Sequence, residues 1–361
     1  MHSMIRRYKG FTLVEMLVAI AVLALMMLFL FSIVSIISRD WKVTTAYSDE
    51  FQGAQDAFND MTRHLSQATL NTYSDYNYAS SKTTPPNYIR QSELRFITGQ
   101  ASTLLNGVNA QPHPTHAMFF VSPLGVTSAY SGLPNLLNTC GYYVEYNNNA
   151  ASVPAFLASL TGTLRSRDRL MELIEPSESM TIYNYTSGLT GTTQNCFSYN
   201  GYSWFTDAFK VTPSPTHILA ENIIALIIMP RSPTYTLNAS GAPFAPSALA
   251  PAYSYDTSPQ TTVTTPVPSG DPNAAALNPS NQLPPLVQVT LVALDESSAL
   301  RVPQQDVMSY LSLTTLFQSA ASYTADMTTL ESALDKQKLN YRVFTTTVAI
   351  KSANWSTAQT Y

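Results

Sequence analysis

From Phe11 to Ile37 the chain carries no Lys, Arg, Asp, Gly or Pro, and its single charge is Glu15. In helical form so long an apolar run spans roughly 40 Å, against roughly 30 Å for the hydrocarbon core of a bilayer. The pattern then changes without stopping. Tyr47, Phe51, Ala54, Phe58, Met61, Leu65 and Ala68 recur at alternating spacings of four and three, which places one apolar stripe on a helix. Between them stand Asp49, Glu50, Gln52, Asp56, Asn59, Asp60 and Arg63. The pattern predicts one helix from about Phe11 to about Leu70, with a transmembrane half at 11–37 and an amphipathic half at 38–70. Gly53 is its weak point, and a break there would give two helices.

After Tyr73 the texture turns to short alternating or apolar runs separated by turn residues, and residues 71–361 read as an α+β head. Expected strands are Glu93–Thr98, Ala117–Val121, Tyr142–Tyr146, Leu170–Ile174, Met180–Tyr185, Ile223–Met229, Leu286–Leu294 and Tyr341–Ile350. Ile223 to Ile228 is continuously apolar, as expected of a central strand covered on both faces or lying against the long helix. Residues 230–285 hold twelve of the 23 Pro, and their only charges are Arg231, Asp256 and Asp271. This stretch reads as a surface excursion between two strands of one sheet. A helical insert is expected at 304–339, as two helices at about Gln304–Ala320 and Ala325–Leu339. Met327, Leu330 and Leu334 mark the inner face of the second.

Charge adds direction to this outline. Residues 1–10 contain Arg6, Arg7 and Lys9 and no acid, a leader that holds the N-terminus in the cytoplasm. The chain is then a single-pass membrane protein, with the residues beyond about 38 outside the cytoplasm. The run is too long for the h-region of a cleaved secretory signal, and no small-x-small site follows it. Charged residues make up 12% of the chain, with a net charge of -4 and a pI near 5.7, so no nucleic-acid partner is expected. Glu15 is the anomaly: a carboxylate within a spanning helix costs a few kcal/mol and calls for a partner.

The order of residues around it names one. Gly10-Phe11-Thr12-Leu13-Val14-Glu15 resembles the processing site of type IV prepilins and type II secretion pseudopilins. The resemblance implies that a prepilin peptidase cuts between Gly10 and Phe11 and methylates the new amine of Phe11. Glu15 then becomes the fifth residue of the mature chain, four positions along the same helix face from that ammonium. Between neighbouring pilins, ammonium and carboxylate neutralise each other where neither is stable alone, and this pair sets the register of subunits entering a filament. Cleavage removes three cations and no anion, taking the side-chain charge from -4 to -7. The expected fold class is accordingly α+β and pilin-like, a long N-terminal helix packed on an antiparallel sheet.

A second resemblance covers Leu219–Leu226 and Gln282–Leu291, which are similar to the J-type minor pseudopilin of type II secretion and to large pseudopilin-like cassette proteins of Verrucomicrobia. It implies a minor subunit, and the large head suggests a tip or initiating position. The long Pro-rich loop and the helical insert depart from the J type.

Further chemistry is sparse. No H-E-x-x-H, G-x-S-x-G or phosphate-binding loop occurs, so no enzyme, cofactor or metal site is expected. Cys140 and Cys196 both lie in the exported part, where they either form one disulfide or remain two thiols. His113 and His116 form an isolated H-x-x-H pair in a Pro-flanked loop, read as loop histidines. Asp295-Glu296 reads as a solvated strand end, and the Arg165–Arg169 cluster as a surface loop. Tyr73, Tyr76, Tyr78, Tyr88, Tyr142, Tyr143 and Tyr146 suggest either ordinary sheet surface or an adaptable binding face. The latter is the basis of an alternative reading, an anchored adhesin or ligand-binding module.

Overall fold

A computed structural model describes residues 13–76, 88–148, 164–180, 182, 201–231, 249–258 and 279–354; at 36, 38–50, 75–76 and 88–89 only the backbone is described. Helix α1 runs Leu13–Ser66 and is unbroken at Gly53. The chain divides into two compact units, Met1–Glu50 and Phe51–Tyr361. Within the first, Leu13–Ser35 has a mean hydropathy of 3.0 and none of it is buried, making this the one described helix long and apolar enough to cross a membrane.

Among the described residues the second unit is built on three antiparallel sheets, with the single-turn helices α2 (Ala101–Leu104), α3 (Ser203–Thr206) and α4 (Glu296–Ala299) between their strands. Strands β1 (Tyr73–Tyr76) and β2 (Tyr88–Gln91) form a ribbon. Six strands form the largest sheet: β3 (Ile97–Gln100), β4 (His116–Pro123), β5 (Leu137–Asn147), β6 (Arg167–Glu175), β7 (Thr216–Glu221) and β9 (Tyr255–Asp256), in the order β7-β6-β5-β4-β3-β9. The third sheet, in the order β11-β10-β8, joins β8 (Ile223–Arg231), β10 (Leu286–Leu294) and β11 (Tyr341–Ala349). The two strands flanking the Pro-rich stretch, β8 and β10, do pair in one sheet.

Phe51, Ala54, Phe58, Met61, Leu65 and Ala68 are all buried, so the described part of the amphipathic stripe is the face that meets the core. Phe58 packs on Phe344 with ring centroids 5.9 Å apart. Val287, Val289, Leu291 and Ala293 of β10 join that core together with Phe119, Tyr142 and Leu173 of the six-stranded sheet. The opposite face of the small sheet, with Ile227, Val292 and Leu294, is covered by the insert through Val307, Met308, Phe317, Leu330 and Leu334. One irregularity lies in β8. Ala225 pairs with Val292 and Ile223 with Ala293, leaving Ile224 as an extra residue. This bulge turns both Ile224 and Ala225 toward the insert.

Several expectations change. β8 lies at an edge of its sheet, not at the centre, although both of its faces are buried. Its outer N–H groups are satisfied by side chains instead of a strand: Leu226 donates to Thr115 Oγ1 at 3.0 Å and Ile228 to His116 Nδ1 at 3.1 Å. Apolar content reports burial and cannot tell an edge covered by side chains from a paired one. The expected strand at Glu93–Thr98 forms at Ile97–Gln100. Met180–Tyr185 falls largely outside the described residues, and its described members Met180 and Ile182 are buried but lie outside any strand.

The insert's first helix is a single turn, α5 (Val307–Tyr310), capped by Asp306, whose side chain accepts from Ser309 N. It ends because Ser312 enters the left-handed region at φ 58° and Leu313 N donates back to Met308 O at 2.8 Å, a Schellman closure. Phe317, expected to continue the helix, also has positive φ and is fully buried. The second helix forms as α6 (Tyr323–Lys336), with Met327, Leu330 and Leu334 inward as expected. Within the Pro-rich stretch, Tyr255–Asp256 returns to the sheet edge as β9, and Tyr253 and Tyr255 are buried. Its described middle is thus part of the head and not wholly a surface excursion. An ion pair between Arg95 and Asp256 secures it.

Candidate functional site

The N-terminal site rests on helix periodicity. Glu15 stands in the first turn of α1, where a carboxylate favours the amide dipoles at the helix start. Around it Leu13, Val14, Met16, Leu17 and Val18 are exposed. A carboxylate ringed by uncovered apolar side chains suits a partner helix in lipid, not a folded core. Gly10, Phe11, Arg6, Arg7 and Lys9 lie outside the described residues. Residues 5–31 match the family model described as the prokaryotic N-terminal methylation motif. The chain is type IV prepilin-like at its N-terminus. This motif implies processing by prepilin peptidase and assembly with other pilins, and together with the exposed apolar helix it fits membrane anchoring. Neither a curated protein nor a solved structure matches the chain.

In the second unit, the other residues that the sequence singles out resolve into structural ties. Cys140 is a free, fully buried thiol, where one sequence-based alternative placed it in a disulfide; its expected partner, Cys196, lies outside the described residues. Burial, with Glu172 nearby, pushes the Cys140 thiol well above its usual range, so it is an unreactive core side chain. His116 is no loop histidine. It opens β4, is fully buried, and burial drives its pKa down to about 4 against a hydrogen bond to Phe317. Its neutral ring therefore accepts from Ile228 N–H at Nδ1 and donates from Nε2 to Phe317 O at 3.0 Å. His113, four residues from Asn109, meets Asn109 Oδ1 at 2.8 Å. Its pKa is lowered by burial, with Glu145 and the Val144 backbone opposing.

Two charged clusters expected at the surface are partly or fully buried as well. Asp295 is buried and caps α4 (Glu296–Ala299), accepting from Ser298 N at 2.7 Å and Asn340 Nδ2 at 3.0 Å. Burial pushes its carboxyl up, but the bonds from Ser298, Asn340 and Ser297 outweigh it and hold it below the usual range. Glu296 pairs with Arg167 and accepts from Asn222 at 2.9 Å. Arg165 donates to the carbonyls of Ala299, Leu300 and Val302, which close the end of α4. Short, polar sequence around these residues gave no sign of such burial.

The tyrosines follow suit. Tyr142 and Tyr143 are fully buried in β5, so the described tyrosines do not form a common binding face. Tyr142 belongs instead to a polar group that the sequence reading missed. Its hydroxyl donates to Glu172 Oε1 at 2.6 Å and lies 2.7 Å from His64 Nδ1. His64 Nε2 is 3.2 Å from Arg63 Nη2 and 3.8 Å from Asp60 Oδ1, and Arg63 also pairs with Asp60. One donor atom each from Asp60, His64 and Glu172 lies within 4.8 Å of the other two. The spacing of Asp60 and His64, i and i+4 on a helix, was visible in the sequence. Glu172 arrives only through the register of β5 and β6, which sets it opposite Tyr142.

Proposed function

We propose that the chain is a non-enzymatic minor pilin or pseudopilin, matured by prepilin peptidase after Gly10 and built into a type II secretion or type IV pilus-like filament. The observation that carries this reading is the methylation motif at the start of a helix whose apolar face is exposed from Leu13 to Ser35. Such a surface is covered either by lipid before assembly or by neighbouring helices after it. Glu15 then meets the methylated amine of Phe11 on an adjacent subunit, and the low dielectric makes both charges unfavourable until they meet. In this reading the N-terminus faces the cytoplasm and the head is exported through the inner membrane. A head of roughly 300 residues is bulky for a repeating shaft subunit, which supports a tip or initiating position. The resemblance to the J-type pseudopilin supports the same place.

Mass spectrometry of the membrane-extracted protein tests the maturation. A chain starting at methylated Phe11 is expected, and one still starting at Met1 overturns the proposal. Glu15→Val should insert into the membrane normally and fail to enter filaments; normal incorporation removes the registration role. The adhesin alternative loses its main support with the burial of Tyr142 and Tyr143.

A further inference from the structure

The group formed by Asp60, His64, Tyr142 and Glu172 has no part in the filament reading. Glu172 is only 7% exposed, and a buried carboxylate needs a countercharge. Among the described residues the ion-pair partner recorded for it is His64, at 3.6 Å; Arg63 is taken up by Asp60. The group holds two carboxylates and an imidazole, which together match the charge and donor preference of a dication. Its most exposed member is Asp60, whose side chain is 36% exposed.

We propose that Asp60, His64 and Glu172 bind a divalent transition-metal ion of the zinc class, which clamps the second half of α1 to strands β5 and β6. An imidazole with carboxylate ligands selects zinc-like ions over calcium or magnesium, which take oxygen donors. Ligand atoms at about 2.1 Å from one ion stand 3–4 Å apart, so the 3.8 Å between His64 Nε2 and Asp60 Oδ1 already suits it, whereas Glu172, now 3.6 Å from Nδ1 and within the 4.8 Å group, must turn its side chain to reach an ion at Nε2. The i, i+4 pair on α1 presents two ligands from one helix face. With the ion at Nε2, His64 Nδ1–H donates to the Tyr142 oxygen while the Tyr142 hydroxyl holds Glu172. That is the outer hydrogen bond that orients a ligating histidine. The ion takes the place of the Arg63 guanidinium, which now lies 3.2 Å from Nε2. The register sets His217 of β7 opposite Glu172, and cross-strand partners share a sheet face. His217, exposed on that face, is the residue proposed for a fourth position.

The test is titration of the detergent-solubilised full chain with Zn2+ above pH 7, followed by calorimetry and thermal unfolding. One equivalent should bind and raise the Tm. His64→Ala and Glu172→Gln should each weaken binding at least tenfold, whereas Arg63→Ala should leave it unchanged or tighten it. Asp60→Asn, at a half-exposed helix position, serves if the buried variants fail to fold, and should weaken binding by the same criterion. Co2+ in place of Zn2+ should give visible absorption that the Asp60→Asn variant loses. Absence of binding, or binding that survives His64→Ala and Asp60→Asn, overturns the proposal.

Discussion

His116 shows how a single ring can join three elements. Its Nδ1 satisfies the free edge of β8 and its Nε2 holds the carbonyl of Phe317 in the insert. Only the neutral ring does both, because a proton on Nδ1 would face the Ile228 N–H. With a folded pKa of about 4 against an ordinary 6.5, the unfolded chain takes its proton first. The contribution of the neutral ring is complete above pH 6.5 and falls away as the pH drops to 4, by roughly 3 kcal/mol. Unfolding in urea at pH 7 and pH 4.5 should show that loss, with His113 adding in the same direction. His116→Asn should flatten the slope, and an unchanged slope would exclude this origin.

Asp168 has the opposite sign. Burial pushes its carboxyl up to about 8 against the Val307 N–H it accepts at 3.0 Å; Asp306 adds to the rise and Arg169 reduces it. Its other oxygen, Oδ1, is buried without a hydrogen bond. The protonated acid is the form that suits the fold, so its contribution is present below the ordinary pKa of 3.8 and lost as the pH rises through 8. Asp168→Asn keeps a carbonyl oxygen for Val307 N–H and removes the buried charge. It should stabilise the protein by about 1–3 kcal/mol at pH 8 and by less at pH 5, as read from the two urea midpoints.

At the scale of elements, two glycines mark where helix and strand differ in their demands. Gly53 is exposed on α1 and an added Cβ meets nothing within 4 Å. Gly53→Ala should therefore stabilise the helix by about 0.5–1 kcal/mol. Gly141 lies in β5 beneath the Phe119 ring, and a Cβ there would overlap that ring. Phe119 is in turn stacked on Phe205 at 3.8 Å and cannot withdraw. Gly141→Ala should cost about 1–3 kcal/mol. Chemical denaturation of both variants checks the pair, and equal effects would contradict the packing described.

On the scale of the whole molecule, the apolar surface and the core belong to different units. The segment Leu13–Ser35 buries nothing, whereas Phe51–Tyr361 contains the three sheets and both clusters of buried side chains. A chain beginning at Phe51 should then remain soluble without detergent and unfold cooperatively, since it keeps the core-facing part of the amphipathic stripe. Size-exclusion chromatography and a thermal melt test this, and an aggregated or non-cooperative product would refute it. A chain beginning at Leu70 lacks Phe58, Met61 and Leu65 and should not fold, because it leaves apolar sheet surface uncovered.

The sequence by itself determined the features governed by local periodicity and residue order. These are the apolar run, the processing motif, Glu15, the buried stripe of α1, the span of β10 and the inner face of α6. Each follows from a short stretch of chain whose neighbours in sequence are also its neighbours in space. Tertiary structure alone decided what depends on distant chain. Asp256 enters the sheet edge through Arg95, which stands 161 positions away. Phe317 bends out of a helical pattern because its carbonyl is claimed by Gln100 and His116 and its N–H by Asp326. His64 and Tyr142, 78 positions apart, meet only when α1 lies on β5. Hydrogen bonds between such distant groups leave no period in the sequence, yet leaving a buried polar group without one costs more than local propensity can return.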